Sequence, residues 1–342
     1  MKLHTRLTTV QLMRRLEEAL HKEGTTWQPS CYVPSEGTSV GSAERDQIVH
    51  WLCYLTDKFH FYPETFNLCV ALTDKFHFYP ETFNLCVALF DRFLQLVKTR
   101  PKYLPCIGIA TFYLAAKTLE EDEVVPDTTE LVEESQCGCS ISDVCRMERI
   151  ILDKLQWNIS RATPLDFLHI FHALLLSSQP HLLDAYDQMT PSRQLTVLTR
   201  NLHRVLCCHQ VAAFRPAVVA IALLSLEMEL FLPDWLGLTF MMETLVQENH
   251  RTIANCREVI DSALGKILQD GRKNYQLKAF SPSKGAKRKV RQLEEDNMYE
   301  GIKRLYNEDP AETTPVTMRS CGSEARQDTA SKNACLSCVA NY

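Results

Sequence analysis

Two pairs of cysteines have the spacing closest to a metal-binding motif in this sequence. One glycine separates Cys137 from Cys139, and two residues separate Cys335 from Cys338. A structural zinc site needs four well-placed ligands, and neither pair has a matching second half elsewhere. We therefore predict no metal site and no cofactor. A zinc site built on one of these pairs is the alternative.

The sequence also lacks the motifs that catalysis would require. It contains no glycine-rich phosphate loop, no serine in a nucleophile elbow, and no kinase or metalloprotease signature. His169 and His172 could do acid–base chemistry, but they lie in the apolar stretch 165–176, where helix packing is the simpler interpretation. We expect a protein that is not an enzyme and acts by binding another protein.

Charge is distributed unevenly along the 342 residues. Residues 1–270 carry 24 Lys and Arg against 33 Asp and Glu, whereas residues 271–342 carry 13 against 9. Nucleic-acid binding needs a cationic face, so the acidic body argues against it. The cluster formed by Lys287, Arg288, Lys289 and Arg291 predicts a nuclear import signal that binds an import receptor. A merely solubilising run of charge is the alternative.

Export and membrane insertion are not indicated. The N-terminal residues 1–23 form a charged amphipathic pattern rather than the apolar core of a signal peptide. The 14 cysteines are therefore interpreted as free thiols of a protein of the nucleus and cytoplasm. The longest apolar run, residues 217–226, is too short to span a bilayer.

The pattern of apolar residues predicts an all-α protein. Only 11 glycines are present, and several prolines open apolar, periodic runs. The stretches 103–116 and 217–226 are apolar on every side, as in helices enclosed by others. We interpret them as the centres of two tandem helical bundles, with one larger bundle as the alternative.

These patterns divide the chain into an N-terminal helix and linker over 1–41, a helical body over 42–270, and a basic, mostly disordered tail over 271–342.

One segment is repeated without a single difference. The sequence LTDKFHFYPETFNLCVA occupies 55–71 and again 72–88. Seventeen residues at 100° each leave a helix about 100° out of phase, so the second copy cannot simply lengthen an amphipathic helix. We predict a recent duplication or a gene-model error that is dispensable for folding, with a functional second copy as the alternative.

Four motifs in order along the chain resemble a cyclin box. They are ERDQIVHWL at 44–52, FDRFL at 90–94, FYLAAKTLEEDE at 112–123 and RMERIILDKLQW at 146–157. TPLDFLHIFHALL at 163–175 and YEGIKRLYNED at 299–309 are similar to the cyclin I subgroup of that family. The resemblance covers roughly residues 9–270 and 285–309.

The resemblance implies two five-helix cyclin folds, over 42–160 and 161–270, and a cyclin-dependent serine/threonine kinase as partner. It implies that Lys117 and Glu148 hydrogen-bond to backbone groups beside the mobile helix of the kinase. It also implies that Arg45 and Asp91 form an ion pair inside the first fold. The protein would then activate or retarget the kinase in cell-cycle or related control.

Family members that recruit substrates do so through an apolar groove, which here corresponds to Glu44, Ile48 and Trp51. The carboxylate of Glu44 stands where such cyclins usually have methionine, which predicts a weakened groove. Two alternatives remain open: a cyclin-fold scaffold that binds no kinase, and a transcription-related binding protein.

Overall fold

The computed structural model describes residues 8–29, 40–59, 79–122, 124–183, 189–232 and 234–270. Within these ranges all regular secondary structure is helical, as predicted. The α-helices are α1 (Thr9–Thr26), α2 (Ser42–Phe59), α3 (Pro80–Leu96), α4 (Leu104–Leu119), α5 (Thr128–Ser135), α6 (Ile141–Lys154), α7 (Pro164–Ser178), α8 (Pro191–Leu206), α9 (Pro216–Phe231), α10 (Trp235–Val246) and α11 (His250–Asp270).

Local sequence signals set the starts of many helices. Proline occupies the first position of α3, α7, α8 and α9, where its fixed φ suits the helix and its missing N–H costs nothing. Capping boxes begin α6 and α7: the hydroxyls of Ser140 and Thr163 accept from the backbone N–H groups of Asp143 and Asp166, respectively. These helix boundaries are therefore encoded within a few residues.

The first five-helix group, α2 to α6, surrounds α4. Helix α4 contacts α2, α3, α5 and α6, and it is buried along nearly its whole length from Leu104 to Ala116. A helix with neighbours on all sides must be apolar on all sides. The prediction that 103–116 forms a central helix is confirmed.

The second group, α7 to α11, surrounds α9 in the same way. Helix α9 contacts α7, α8, α10 and α11, and residues 217–224 are all buried. The two groups share one continuous apolar core, because α3 contacts both α7 and α8 while α2 also contacts α8. The predicted boundary between residues 160 and 161 falls in the connection from α6 to α7 and stays a prediction.

Helix α1 belongs with the second group, against which it packs through α7. Its buried face consists of Leu12, Leu16, Ala19 and Glu23. The carboxylate of Glu23 accepts hydrogen bonds from Arg215 Nη2 at 2.6 Å and from the backbone N–H of Ala217 at 2.8 Å. Glu23 thereby caps the N-terminus of α9, where a negative charge is favoured.

The duplicated segment supplies different residues to two helices. Residues 55–59 of the first copy complete α2, and residues 80–88 of the second copy begin α3. Residues 60–78, between these helices, lie outside the described residues, as do residues 271–342 with the predicted import signal and disordered tail. None of the described helices is long and apolar enough to cross a membrane.

We expect that deleting one copy will stabilise the fold. Because the copies are identical, deletion of 72–88 yields the same protein as removal of 60–76, so α2 and α3 keep every described residue. Shortening the connection from 20 residues to three lowers the entropy cost of closing it by about 1–2 kcal/mol. The free energy of unfolding, measured by urea denaturation, should rise by up to that amount.

A matched control replaces 60–76 with a Gly/Ser sequence of equal length. That variant should be as stable as the natural chain. A deletion that lowers the free energy of unfolding by more than 1 kcal/mol, together with a destabilised Gly/Ser variant, would show that the extra residues pack in the native state.

Candidate functional site

Lys117 and Glu148 are adjacent on the surface of the first helical group. Lys117 lies in the last turn of α4, and its Nζ donates a hydrogen bond to Glu148 Oε1 on α6. The Lys117 ammonium also lies 4.4 Å from the centroid of the Tyr113 ring. The Lys117 side chain is 39% exposed, whereas Glu148 is mostly buried and only 12% of its side chain is exposed.

The packing of α6 on α4 fixes this arrangement. Val144, Met147, Ile151 and Leu155 form an apolar stripe at helical spacing, and each is fully buried. Glu148 follows Met147 directly and therefore lies at the edge of the buried stripe. Because α4 is the central helix, its last turn holds Lys117 opposite that edge.

The pair retains hydrogen-bonding capacity after its members bind each other. An ammonium carries three donors, and a carboxylate has two oxygens that can each accept more than one hydrogen bond. Around the pair, Tyr113 on α4 and Ile141 and Cys145 on α6 lie at helical spacing from Lys117 and Glu148 and are partly or largely exposed. The surface thus combines an apolar area with a donor and an acceptor suited to a protein backbone.

Glu120, which the sequence did not single out, joins the end of α4 to the start of α3. Its Oε1 accepts from the backbone N–H of Tyr79 at 2.7 Å and from the hydroxyl of Thr82. Burial raises the pKa of the Glu120 carboxyl above its ordinary value, against the opposing effect of these two hydrogen bonds. The stability that this shift contributes is therefore present at acidic pH and is lost as the pH rises through the raised pKa.

Arg45 and Asp91 form a buried, bidentate ion pair between α2 and α3. Arg45 Nε lies 3.0 Å from Asp91 Oδ1, and Arg45 Nη2 lies 2.8 Å from Asp91 Oδ2. Arg45 Nη1 donates to the carbonyl oxygen of Leu206 at 2.8 Å and to Asp46 Oδ1 at 3.2 Å. The Arg45 side chain is only 1% exposed, so these partners replace its hydration.

The groove residues are mostly turned into the core. Ile48 is 1% exposed and Trp51 is 7% exposed, which leaves little of either side chain for a ligand. Glu44 Oε2 accepts from the backbone N–H of Gly41 at 3.1 Å, ahead of the first turn of α2. Glu44 is therefore engaged at a helix start, and the docking role stays a prediction.

Among the described residues, the histidines and cysteines considered as catalytic or metal-binding residues are buried or contact other side chains of the fold. His172 is buried and bonds to Gln194 Oε1 at 3.1 Å, and burial lowers the pKa of its imidazole. His169 Nδ1 lies 3.8 Å from Glu81 Oε1. Cys137 and Cys139 are buried, and no group of three or more His, Cys, Asp or Glu suited to a metal ion occurs among the described residues.

Comparison with known proteins agrees with this architecture. Residues 72–160 match the family described as the cyclin N-terminal domain. The match begins at the first residue of the second copy of the repeat and includes Asp91, Lys117 and Glu148. Residues 72–160 of this chain thus form a cyclin N-terminal domain.

Two curated cyclins illustrate the relationship. Human Cyclin-I2 is 36% identical over 222 residues, which cover 65% of this chain and 56% of that protein. Mouse Cyclin-G2 is 40% identical over 199 residues, which cover 57% of this chain and 50% of that protein. The matched part of this chain thus spans about half the length of these relatives.

A solved structure shows the same fold at low identity. The viral cyclin from herpesvirus saimiri superposes with a TM-score of 0.55 at 16% identity, over 73% of this chain and 96% of that protein. The fold predicted from the sequence, two tandem five-helix cyclin folds preceded by a helix, is confirmed.

Arg45→Met should cost this protein about 3–5 kcal/mol of unfolding free energy, because it removes the guanidinium that binds both oxygens of the buried Asp91 carboxylate. The double variant Arg45→Met/Asp91→Met removes both charges and should recover much of the loss. Arg14→Met is the matched control, because Arg14 pairs with Glu18 on the exposed face of α1 and such pairs contribute less than about 1 kcal/mol.

Urea denaturation monitored by circular dichroism measures the free energy of unfolding of each variant. A loss for Arg45→Met no larger than that for Arg14→Met would contradict the importance of the buried pair.

Proposed function

We propose that this protein is a regulatory subunit that binds a cyclin-dependent serine/threonine kinase and activates or retargets it. The observation that carries the proposal is the partly exposed Lys117–Glu148 pair on α4 and α6 of the cyclin N-terminal domain. The match of residues 72–160 to the cyclin N-terminal domain and the similarity to human Cyclin-I2 support the choice of partner.

The chemistry of the pair suits a clamp on backbone groups. The Lys117 ammonium can donate to carbonyl oxygens, and the free capacity of the Glu148 carboxylate can accept from amide N–H groups. A helix in the partner has unpaired N–H groups at its N-terminal end and unpaired carbonyl groups at its C-terminal end. Holding the mobile helix of a kinase in this way favours the Lys–Glu ion pair that its catalysis requires.

The apolar area beside the pair would exclude water from those hydrogen bonds. Tyr113, Ile141 and Cys145 are placed to contact an apolar face of the partner. Charged hydrogen bonds contribute most where their surroundings are desolvated, so the apolar contacts and the polar pair reinforce each other.

The double variant Lys117→Ala/Glu148→Ala is expected to abolish kinase capture while leaving the protein folded. Stranding a buried polar group of the partner costs about 1–3 kcal/mol, and a total of about 4 kcal/mol weakens binding nearly a thousandfold. The measurement is co-purification of a cyclin-dependent kinase from cell extract, with circular dichroism confirming the helix content.

Two controls separate binding from folding. The exchange Lys117→Glu/Glu148→Lys keeps an ion pair between α4 and α6 but reverses the positions of donor and acceptor. It should retain stability and fail to capture kinase. Glu44→Gln preserves the hydrogen bond to Gly41 and should capture kinase normally.

Full capture by the exchanged variant would show that the pair only joins two helices. Full capture by the folded double alanine variant would remove both residues from the interface. A natural chain that captures no kinase would favour the scaffold alternative.

We also propose that the basic cluster Lys287–Arg291 directs nuclear import. Four of its five residues are cationic, as import receptors require. Replacing Lys287, Arg288 and Lys289 by alanine should lower the nuclear fraction of a fluorescent fusion too large for passive diffusion. An unchanged nuclear fraction would leave the cluster with a solubilising role only.

A further inference from the structure

A cavity of about 80 Å³ lies where the two helical groups and the end of α1 meet. Its wall includes the apolar side chains of Trp27, Phe214 and Val219, and the polar side chains of Asn84, Arg92 and Arg161. One water needs about 10–15 Å³ of such space, so the cavity has room for a small polyatomic ion. Nothing in the proposed kinase contact uses it.

The two arginines line the same cavity. Arg92 Nη1 donates to the carbonyl oxygen of Asn158 at 2.9 Å, and Arg161 Nη2 donates to the carbonyl oxygen of Thr26. Among the described residues neither guanidinium has a carboxylate in an ion pair, and Arg161 Nε is buried without a hydrogen-bond partner. Burial and the neighbouring charge of Arg92 lower the pKa of Arg161 to about 10.

Asn84 adds an acceptor to the same cavity. Its Nδ2 donates to the carbonyl oxygen of Pro80 at 3.0 Å, which fixes the orientation of the amide. Its Oδ1 is buried and has no hydrogen-bond partner. A buried acceptor without a partner destabilises the folded state, so a ligand that donates a hydrogen bond to it would be favoured.

The other charges around the cavity leave it cationic. Asp91 also lines the wall, but both of its oxygens are bound by Arg45. At the nearby start of α9, Glu23 pairs with Arg215 and accepts from the N–H of Ala217. The unneutralised charges are those of Arg92 and Arg161.

We propose that this cavity binds hydrogen phosphate, with Arg92 and Arg161 donating to its oxygens and its P–OH donating to Asn84 Oδ1. Planar guanidinium groups match the oxygens of a phosphoryl group. The same chemistry is offered by free inorganic phosphate and by the phosphoryl group of a phosphorylated side chain. The bound anion would join α3 to the connection that precedes α7, and so hold the two helical groups together.

The first test uses the full chain and compares chloride, sulfate and phosphate at constant ionic strength. Phosphate at ten times its Kd should raise Tm by about 3–5 °C over chloride. Sulfate has no proton to donate to Asn84 Oδ1 and should raise Tm by clearly less. Because both anions also stabilise proteins non-specifically, the difference between them is the informative quantity.

Variants locate the site. Arg161→Met and Arg92→Met should each weaken phosphate binding in calorimetry at least tenfold and remove the phosphate-specific rise in Tm, whatever their Tm in chloride. Arg251→Met is the matched control, because Arg251 lies exposed on α11 and should leave phosphate binding unchanged.

Three outcomes would overturn the proposal: equal stabilisation by sulfate and phosphate, no saturable phosphate binding, or full binding by the folded Arg161→Met and Arg92→Met variants. O-phosphoserine distinguishes the sources. Competition with phosphate indicates that a phosphorylated side chain can enter, and binding of phosphate alone indicates the free ion.

Discussion

The structure depends on the guanidinium of Arg45, which is buried away from water. Arg45 uses three nitrogens to bind Asp91 on α3, Asp46 on its own helix and the carbonyl oxygen of Leu206 at the end of α8. A buried cation is tolerated only when its donors are satisfied, so these elements must keep their relative positions. One side chain thereby fixes α2 and α3 against each other and ties them to the second helical group.

The central helix α4 determines where the residues of the proposed kinase contact lie on the surface. Because α4 has neighbours on all sides, it can vary little in position, and its last turn presents Lys117 at a defined place beside α6. Glu120, one turn further along, then anchors the start of α3. The proposed kinase contact is thus rigid on the side of this protein, which limits the entropy lost on binding.

The junction between the two groups is organised by charge as well as by apolar packing. Glu23 offsets Arg215 and caps α9, whereas Arg92 and Arg161 have no such acidic partner among the described residues. A body with a net negative charge thus contains a local cationic cavity at its junction. Net charge describes the average surface and not the potential at one site.

The structural features that depend only on residues near one another in the chain could be predicted from the sequence alone. The capping boxes, the proline helix starts and the two central helices could be predicted, because each reflects a pattern within a few turns. The resemblance to cyclins indicated Lys117 and Glu148, but their direct contact joins residues 31 positions apart and required the packing of α6 on α4. Glu120 and the cavity arginines gave no sequence signal, because their partners are distant and often backbone atoms. The duplicated segment shows the division most clearly. Its two copies are identical and therefore have equal local propensities. Only tertiary packing could decide that residues 55–59 of the first copy complete α2 and that residues 80–88 of the second copy begin α3.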